Sequence, residues 1–179
     1  MRHSDASTLS RYEANYLRRL QQEDVPVMSK ILQNEKVMYA WEHAFSAAEV
    51  AQWLQDCQRR YEEDGFGYLA VMEKKSGNFI GMAGPLMENI DGSKVPGIGY
   101  ILDNAYWQQG YAVEASRGSI EYLLSLGYKK IVAEIRPENH ASRRVAEKLG
   151  MQIEGELVKH YRGKDMLHLL YFYCEKNLL

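Results

Sequence analysis

The sequence predicts a mixed α/β domain in which helices cover a central sheet. Three observations carry this. First, three segments place apolar or small residues three and four apart, the helical period: Val50, Trp53, Leu54, Cys57 and Tyr61; Ala112, Ala115, Ser119, Leu123 and Leu126; Ala141, Val145 and Leu149. Second, short segments rich in β-branched, aromatic and other apolar residues, bounded by turn residues, lie between them. Third, the two kinds of segment interleave in the order β-α-α-β-β-β-α-β-α-β-β instead of forming separate blocks.

Each element has its own justification. Residues 1–12 are polar and expected to be loose. Tyr16–Leu20 reads as a first strand. Glu23-Asp24 lead into a helix near 25–33, with Pro26 tolerable in its first turn. Tyr39 to Phe45 is aromatic and irregular. Ser46 and Glu49 form a capping box ahead of a second helix ending near Gly65. Strands follow at 68–73 and 79–86, joined by the turn Lys75-Ser76-Gly77-Asn78. Glu88 to Pro96 is expected to be a polar loop. A strand at 98–102, closed by Asp103-Asn104, feeds the helix that Gly127 ends. In the strand at 130–135, Ile131, Ala133 and Ile135 point one way, and Val132, Glu134 and Arg136 the other. A helix from Asn139 or His140 turns Ala141, Val145 and Leu149 inward and Arg143, Arg144, Glu147 and Lys148 outward, stopping at Gly150. Strands at 151–159 and 166–175 close the chain around Arg162-Gly163-Lys164-Asp165.

The stretch from Ile98 to Leu126 is the centre of this plan. Its strand-to-helix junction, Gln108-Gln109-Gly110-Tyr111-Ala112, places a glycine at a helix mouth. There the backbone can approach a ligand closely and the first N–H groups lack helical partners. With the helix dipole they make an anion site suited to phosphate. A plain helix N-terminus after a turn reads the same residues equally well.

The chain has 179 residues, enough for one domain with a sizeable core. Its formal charge of −2 argues against a general nucleic-acid footprint. No apolar run approaches a membrane span. Met1 to Asp5 lacks the apolar segment of a signal peptide. Cys57 and Cys174 match no disulfide or metal pattern, so a reduced, cytoplasmic setting is expected. His43, His140, His160 and His168 show no ligand spacing, so no metal is expected.

Three motifs now stand in order: Ile98-Gly99-Tyr100 followed by Trp107-Gln108-Gln109-Gly110-Tyr111-Ala112 and Glu114-Ala115; Asn139-His140-Ala141-Ser142 running to Glu147-Lys148-Leu149-Gly150-Met151; and Glu154-Gly155-Glu156 before the final hairpin. Together they resemble the GNAT superfamily of N-acetyltransferases, above all the branch of the ribosomal-protein N-terminal alanine acetyltransferases and the acetyltransferases of spermidine and small amines. The resemblance spans about Tyr16 to Tyr173. It implies a mostly antiparallel central sheet whose fourth and fifth strands splay apart, with acetyl-CoA as donor. The pantetheine arm would lie in the gap against the backbone of Ile101 and Leu102. The pyrophosphate would sit on the amides of Gln109, Gly110, Tyr111 and Ala112. Trp107 stands at the Gln/Arg position of the general motif, as in this branch, and Gln108 replaces a frequent glycine.

Acetyl transfer to an amine requires loss of an amine proton, polarisation of the thioester carbonyl and a proton or hydrogen bond for the departing thiolate. The resemblance implies Ser142 as the group facing the CoA sulfur, with a first-turn hydroxyl bonding backbone as the alternative. Ala146 stands where other members carry a tyrosine. Asn139 would bond the pantetheine amide, cap the helix, or do both. Glu134 resembles a strand base acting through water, or it pairs with Arg136 on a solvated face. A second carboxylate that this branch often carries falls at Gly97 and is missing, with Glu88 as a weaker substitute. Arg143, with Arg144 and Lys148, would meet the adenosine phosphates or form a solvated face. Tyr39, Trp41 and Phe45 would line the acceptor pocket or pack as core.

The expected activity is acetyl-CoA-dependent transfer to a primary amine of a protein N-terminus, polyamine or small molecule, with homodimer formation by family analogy. The alternative is a weakly active or inactive CoA-binding sensor of the same fold. A different nucleotide-binding domain is disfavoured: there is no phosphate-binding Gly-x-x-x-x-Gly-Lys loop, and Gly97-Ile98-Gly99 is followed by Leu102 where a dinucleotide fingerprint needs glycine or alanine.

Overall fold

The computed structural model describes residues 8–9 and 14–175. Its elements are β1 (Thr8–Leu9), β2 (Asn15–Arg19), α1 (Val25–Leu32), α2 (Ala47–Glu63), β3 (Leu69–Glu73), β4 (Phe79–Ile90), β5 (Ser93–Leu102), α3 (Tyr111–Ser125), β6 (Lys130–Ile135), α4 (His140–Lys148), β7 (Gln152–Tyr161) and β8 (Lys164–Cys174). The strands form one sheet in the order β1-β2-β3-β4-β5-β6-β8-β7. Every neighbouring pair is antiparallel except β5 and β6. The fourth and fifth predicted strands are therefore β5 and β6, displaced by one because Thr8 and Leu9, within the segment expected to be loose, pair with Arg18 and Leu17. The rest of that segment lies outside the described residues.

Helices cover both faces. Met28, Ile31 and Leu32 of α1 and Val50, Leu54 and Cys57 of α2 bury against Ala70, Met72, Met82 and Ile101. On the other face Ile120 and Leu123 of α3 and Ala146 of α4 bury against Ile98, Ile131, Ala133 and Ile135. α2 starts as expected: the Ser46 side chain accepts from the Glu49 amide (3.1 Å), and the Glu49 carboxylate accepts from the Ser46 amide (3.1 Å). Two inward assignments fail at helix ends. Leu126 is 50% exposed, because α3 has already ended there. Ala141 is exposed and Ala146 is fully buried, so the buried stripe of α4 sits one turn further along.

The expected loop at 88–96 is a continuous hairpin. β4 and β5 pair from Gly81↔Leu102 to Ile90↔Ser93. Asp91 (φ 50°) and Gly92 (φ 82°) make the turn, the left-handed pair that matches strand twist in a two-residue connection. One side of this long hairpin positions the site. The register gives β5 and β6 a single partner pair, Gly97↔Val132; beyond it β6 follows β8 and leaves β5. Ile98 to Leu102 thus has β4 on one side and no strand on the other. Gly97 is what permits the contact: a Cβ there would lie 2.7 Å from the Val132 carbonyl oxygen and 3.0 Å from its Cγ1. Tyr100 ties the far side of the gap, its hydroxyl donating to the Ser142 carbonyl (2.7 Å). Trp107 Nε1 closes the end by donating to the Leu102 carbonyl (3.0 Å).

Gly97→Ala is expected to lose about 1–3 kcal/mol of stability, since the obstacle is backbone that no rotamer change removes. Urea denaturation measures it; an unchanged midpoint would mean that the bridge is not close-packed.

Candidate active site

A cavity of about 560 Å³ occupies the gap between β5 and β6. It has lining from both faces of the sheet. Gly110, Tyr111, Ala112, Ser142, Arg144 and Lys148 line it on the α3–α4 side, and Trp41, Trp53, Tyr68, Glu88, Glu134 and Lys159 on the α1–α2 side. Ile101 and Leu102 line the passage between.

The mouth of α3 is built from left-handed backbone at Gln108 (φ 59°) and Gly110 (φ 85°). Gly110 is the residue preceding the helix, and no side chain caps the first turn. The first amides therefore lack partners among the described residues, as an anion site requires. A Cβ at Gly110 would meet nothing within 4 Å, so the approach is open. The Gln109 side chain donates to the Ala105 carbonyl (3.0 Å) and does not line the cavity. The helix mouth is anchored behind: Tyr111 donates its hydroxyl to Glu73, Asn15 Nδ2 to the Tyr111 carbonyl (3.3 Å), and the Ala14 amide to Glu114 (3.0 Å). Hydrogen bonds from Ser76 and Tyr111 hold Glu73 below the ordinary carboxylate value.

At the mouth of α4 the Asn139 Oδ1 accepts from the Ser142 amide (3.1 Å) and from the Tyr39 hydroxyl (2.6 Å). Its oxygen is thus committed to capping, and its NH2 remains for a ligand. Ser142 lines the cavity, and its side chain hydrogen-bonds the Tyr100 hydroxyl. Arg143 does not line it. Its Nε donates to the Tyr171 hydroxyl (3.0 Å) and its Nη1 to the Pro137 carbonyl (3.1 Å). Arg144 and Lys148 are the α4 cations at the cavity.

On the other side Glu134 is nearly enclosed, its side chain 6% exposed. It does not pair with Arg136, which bonds the Ala40 carbonyl (3.1 Å) and Glu138 (3.4 Å). Its Oε2 pairs with Lys159 of β7, and its Oε1 is buried without a partner among the described residues. Glu88 comes from β4 into the space over Gly97, its Cγ 3.0 Å from where a Cβ on Gly97 would stand. The residue at 97 lacks a carboxylate, and the neighbouring strand supplies one beside it. Burial, then the charge of Glu134, raise the Glu88 carboxyl above its ordinary value, opposed by Lys159 and Arg60. Tyr39 and Trp41 line the cavity, whereas Phe45 packs against the α1–α2 core. Of the histidines, His43 bonds Glu49 (2.9 Å) and His160 bonds Asp165 (3.0 Å). His168, at the cavity, bonds the Met166 carbonyl (3.0 Å), and burial lowers its pKa.

Sequence reasoning missed Trp53 as a wall and Tyr68, Arg60 and Lys159 altogether. The available signal was the set of glycines at 67, 84, 97 and 99, each leaving room for a neighbour's side chain or backbone.

Residues 16–152 match the family model described as an acetyltransferase (GNAT) domain. Among sequence relatives, the uncharacterized protein YkkB of Bacillus subtilis (strain 168) is 31% identical over 137 residues, covering 75% of this chain and 80% of that protein. Among solved structures, an acetyltransferase from Agrobacterium tumefaciens str. C58 superposes with a TM-score of 0.80 at 22% identity, covering 98% of each chain. The ribosomal-protein-S5-alanine acetyltransferase from Vibrio fischeri superposes with a TM-score of 0.73 at 20% identity, covering 94% of this chain and 97% of that one.

The Glu88 shift has a signed consequence. The unfolded chain titrates this carboxyl near 4.3, and the native one titrates higher. Between the two values the native state holds a proton that the unfolded state has released, so stability falls as pH rises through that window. Glu88→Gln is expected to exceed the wild type in stability near pH 7 and to converge with it below about pH 4. Denaturant midpoints across pH measure this; parallel curves would show that the Glu88 carboxyl is not raised in the native state.

Proposed function

The chain belongs to the GNAT acetyltransferase family, and we propose that it is an N-acetyltransferase that moves an acetyl group from acetyl-CoA directly to a primary amine. One observation carries this reading: the cavity crosses the sheet at the splayed strands, with unpaired helix amides on one side and a buried carboxylate pair on the other.

The residues present fit acetyl-CoA. The amides of Tyr111 and Ala112 beside Gly110, with Arg144 and Lys148, suit a pyrophosphate. The free edge from Ile98 to Leu102 suits an amide-bearing arm, because unpaired strand groups take a backbone-like partner. The Asn139 NH2 stands beside the same passage. Bound there, acetyl-CoA supplies an activated acyl group as a thioester.

The chain's own residues then divide the work. Glu88, raised by burial, is suited to receive the amine's proton, directly or through water. Glu134, fixed by Lys159, keeps an unpartnered oxygen that suits it to accept a hydrogen bond from the amine. Trp41 and Trp53 wall this side and exclude water, which strengthens each hydrogen bond within. The Ser142 hydroxyl, at the cavity and in hydrogen-bond contact with the Tyr100 hydroxyl, is suited to turn to the departing sulfur. Holding both reactants in one passage supplies much of the acceleration without a covalent enzyme intermediate.

Release of free CoA thiol with a panel of primary amines tests the reading. The panel includes alanine- and serine-initiated peptides, since one structural neighbour is named for acetylating a ribosomal protein. Amine-dependent release is expected, and its absence across the panel despite acetyl-CoA binding would contradict it. With a competent amine in hand, Ser142→Ala should lower turnover about tenfold or more and leave acetyl-CoA affinity unchanged. An unchanged rate would remove Ser142 from the chemistry.

A further inference from the structure

Tyr68 stands at the entrance to β3. The register Leu69↔Ala83 sets it opposite Gly84, Gly84 is paired with Gly99, and the bridge Gly97↔Val132 brings Glu134 level with Gly99. Tyr68, Gly84, Gly99 and Glu134 therefore form one row across four strands. Residues level in adjacent strands present the same face, and the two in the middle have no side chain.

Tyr68 occupies the room they leave. A Cβ on Gly84 would lie 3.2 Å from the Tyr68 Cα, and one on Gly99 would lie 2.6 Å from its Cζ and closer still to its hydroxyl oxygen. The side chain thus runs along the row, with its hydroxyl over Gly99 at the β5 edge that β6 has left. Trp53 packs against the ring in a tilted arrangement, centroids 4.9 Å apart. The Tyr61 hydroxyl donates to the Tyr68 carbonyl and fixes the backbone.

The hydroxyl lines the cavity and makes no hydrogen bond to another described residue. Enclosed tyrosine hydroxyls ordinarily have a partner. Burial, with the nearby charges of Glu88 and Glu134, keeps the proton on this phenol at any working pH. It is a donor at the reacting end of the passage, on the side of the two carboxylates that serve the amine.

We propose that the Tyr68 hydroxyl donates a hydrogen bond to the acyl oxygen of bound acetyl-CoA and stabilises the negative charge that grows there during attack. This rests on the acetyl-transfer reading above. Tyr68 keeps its proton throughout. The amine nitrogen forms the N–C bond, the C–S bond breaks with its electron pair on sulfur, and the amine's proton passes to a carboxylate.

The test is infrared difference spectroscopy of acetyl-CoA carrying ¹³C at the acyl carbon, bound to the full chain. In the wild type the carbonyl band is expected below its frequency in free acetyl-CoA. In Tyr68→Phe, with acetyl-CoA affinity retained, it should return toward the free value, and turnover should fall about 100-fold. A band at the same frequency in both proteins would overturn the proposal, even if turnover fell, because a packing role alone would leave that band in place. If Tyr68→Phe does not fold, 3-fluorotyrosine at position 68 keeps the ring and strengthens the donor. The band must then move further down, and an unmoved band overturns the proposal equally. Wild-type protein that binds no acetyl-CoA would instead bring down the underlying reading.

Discussion

The contact between Gly97 and Val132 governs the rest of this structure. Parallel strands normally pair over several residues, yet β5 and β6 meet at one position and then part. Two demands produce the divergence. β5 is held by ten paired positions to β4, and β6 is held by six to β8. Each strand follows its antiparallel partner, and the sheet opens between them. The gap is stable because it is bridged at its edges: Tyr100 reaches from β5 to the first turn of α4, and Trp107 covers the final carbonyl of β5. A backbone edge without a strand is ordinarily a liability. Here it lines a cavity, where a ligand can take the place of the missing strand.

The electrostatics follow from the same opening. Glu88 and Glu134 approach from opposite sides of Gly97, which contributes no side chain of its own. Two neighbouring carboxylates in an enclosed site cannot both ionise freely. The arrangement separates them by environment. Lys159 pairs with Glu134, while Glu88 carries the burial cost and is pushed toward its acid form. That division gives the two carboxylates different surroundings within one enclosed site. On the other face the charges reverse, with Arg144 and Lys148 beside the open turn of α3. The gap thus has a helix mouth with cations on one face of the sheet and a carboxylate pair on the other.

Much of this was legible in the sequence, and the remainder depends on distances in space. The helices showed themselves by period, and Ser46 with Glu49 marked the start of α2 correctly. The strand–glycine–helix junction at Gly110 was readable because it is a backbone feature, a left-handed glycine directly ahead of a helix. The hairpin at 88–96 was missed because its residues are polar, although Asp91-Gly92 is a turn signal with a mechanism. Arg143 and Arg144 were indistinguishable as outward residues. Only the contact of Arg143 with Tyr171 and Pro137 decides which of them turns to the cavity. Lys159 as the partner of Glu134, and the row from Tyr68 to Glu134, exist through register among separate strands, which no local pattern encodes. Phe45 was an aromatic in the right segment that packs against the α1–α2 core, which only its contacts in space reveal.

The central claim is that the gap between β5 and β6, with the mouth of α3, is a seat for acetyl-CoA. Calorimetric titration of acetyl-CoA into the purified chain, with ATP and NAD as controls, tests it most directly. One-to-one micromolar binding of acetyl-CoA, without comparable binding of either control, is the predicted result. No heat with acetyl-CoA, or equal binding of ATP or NAD, would contradict it.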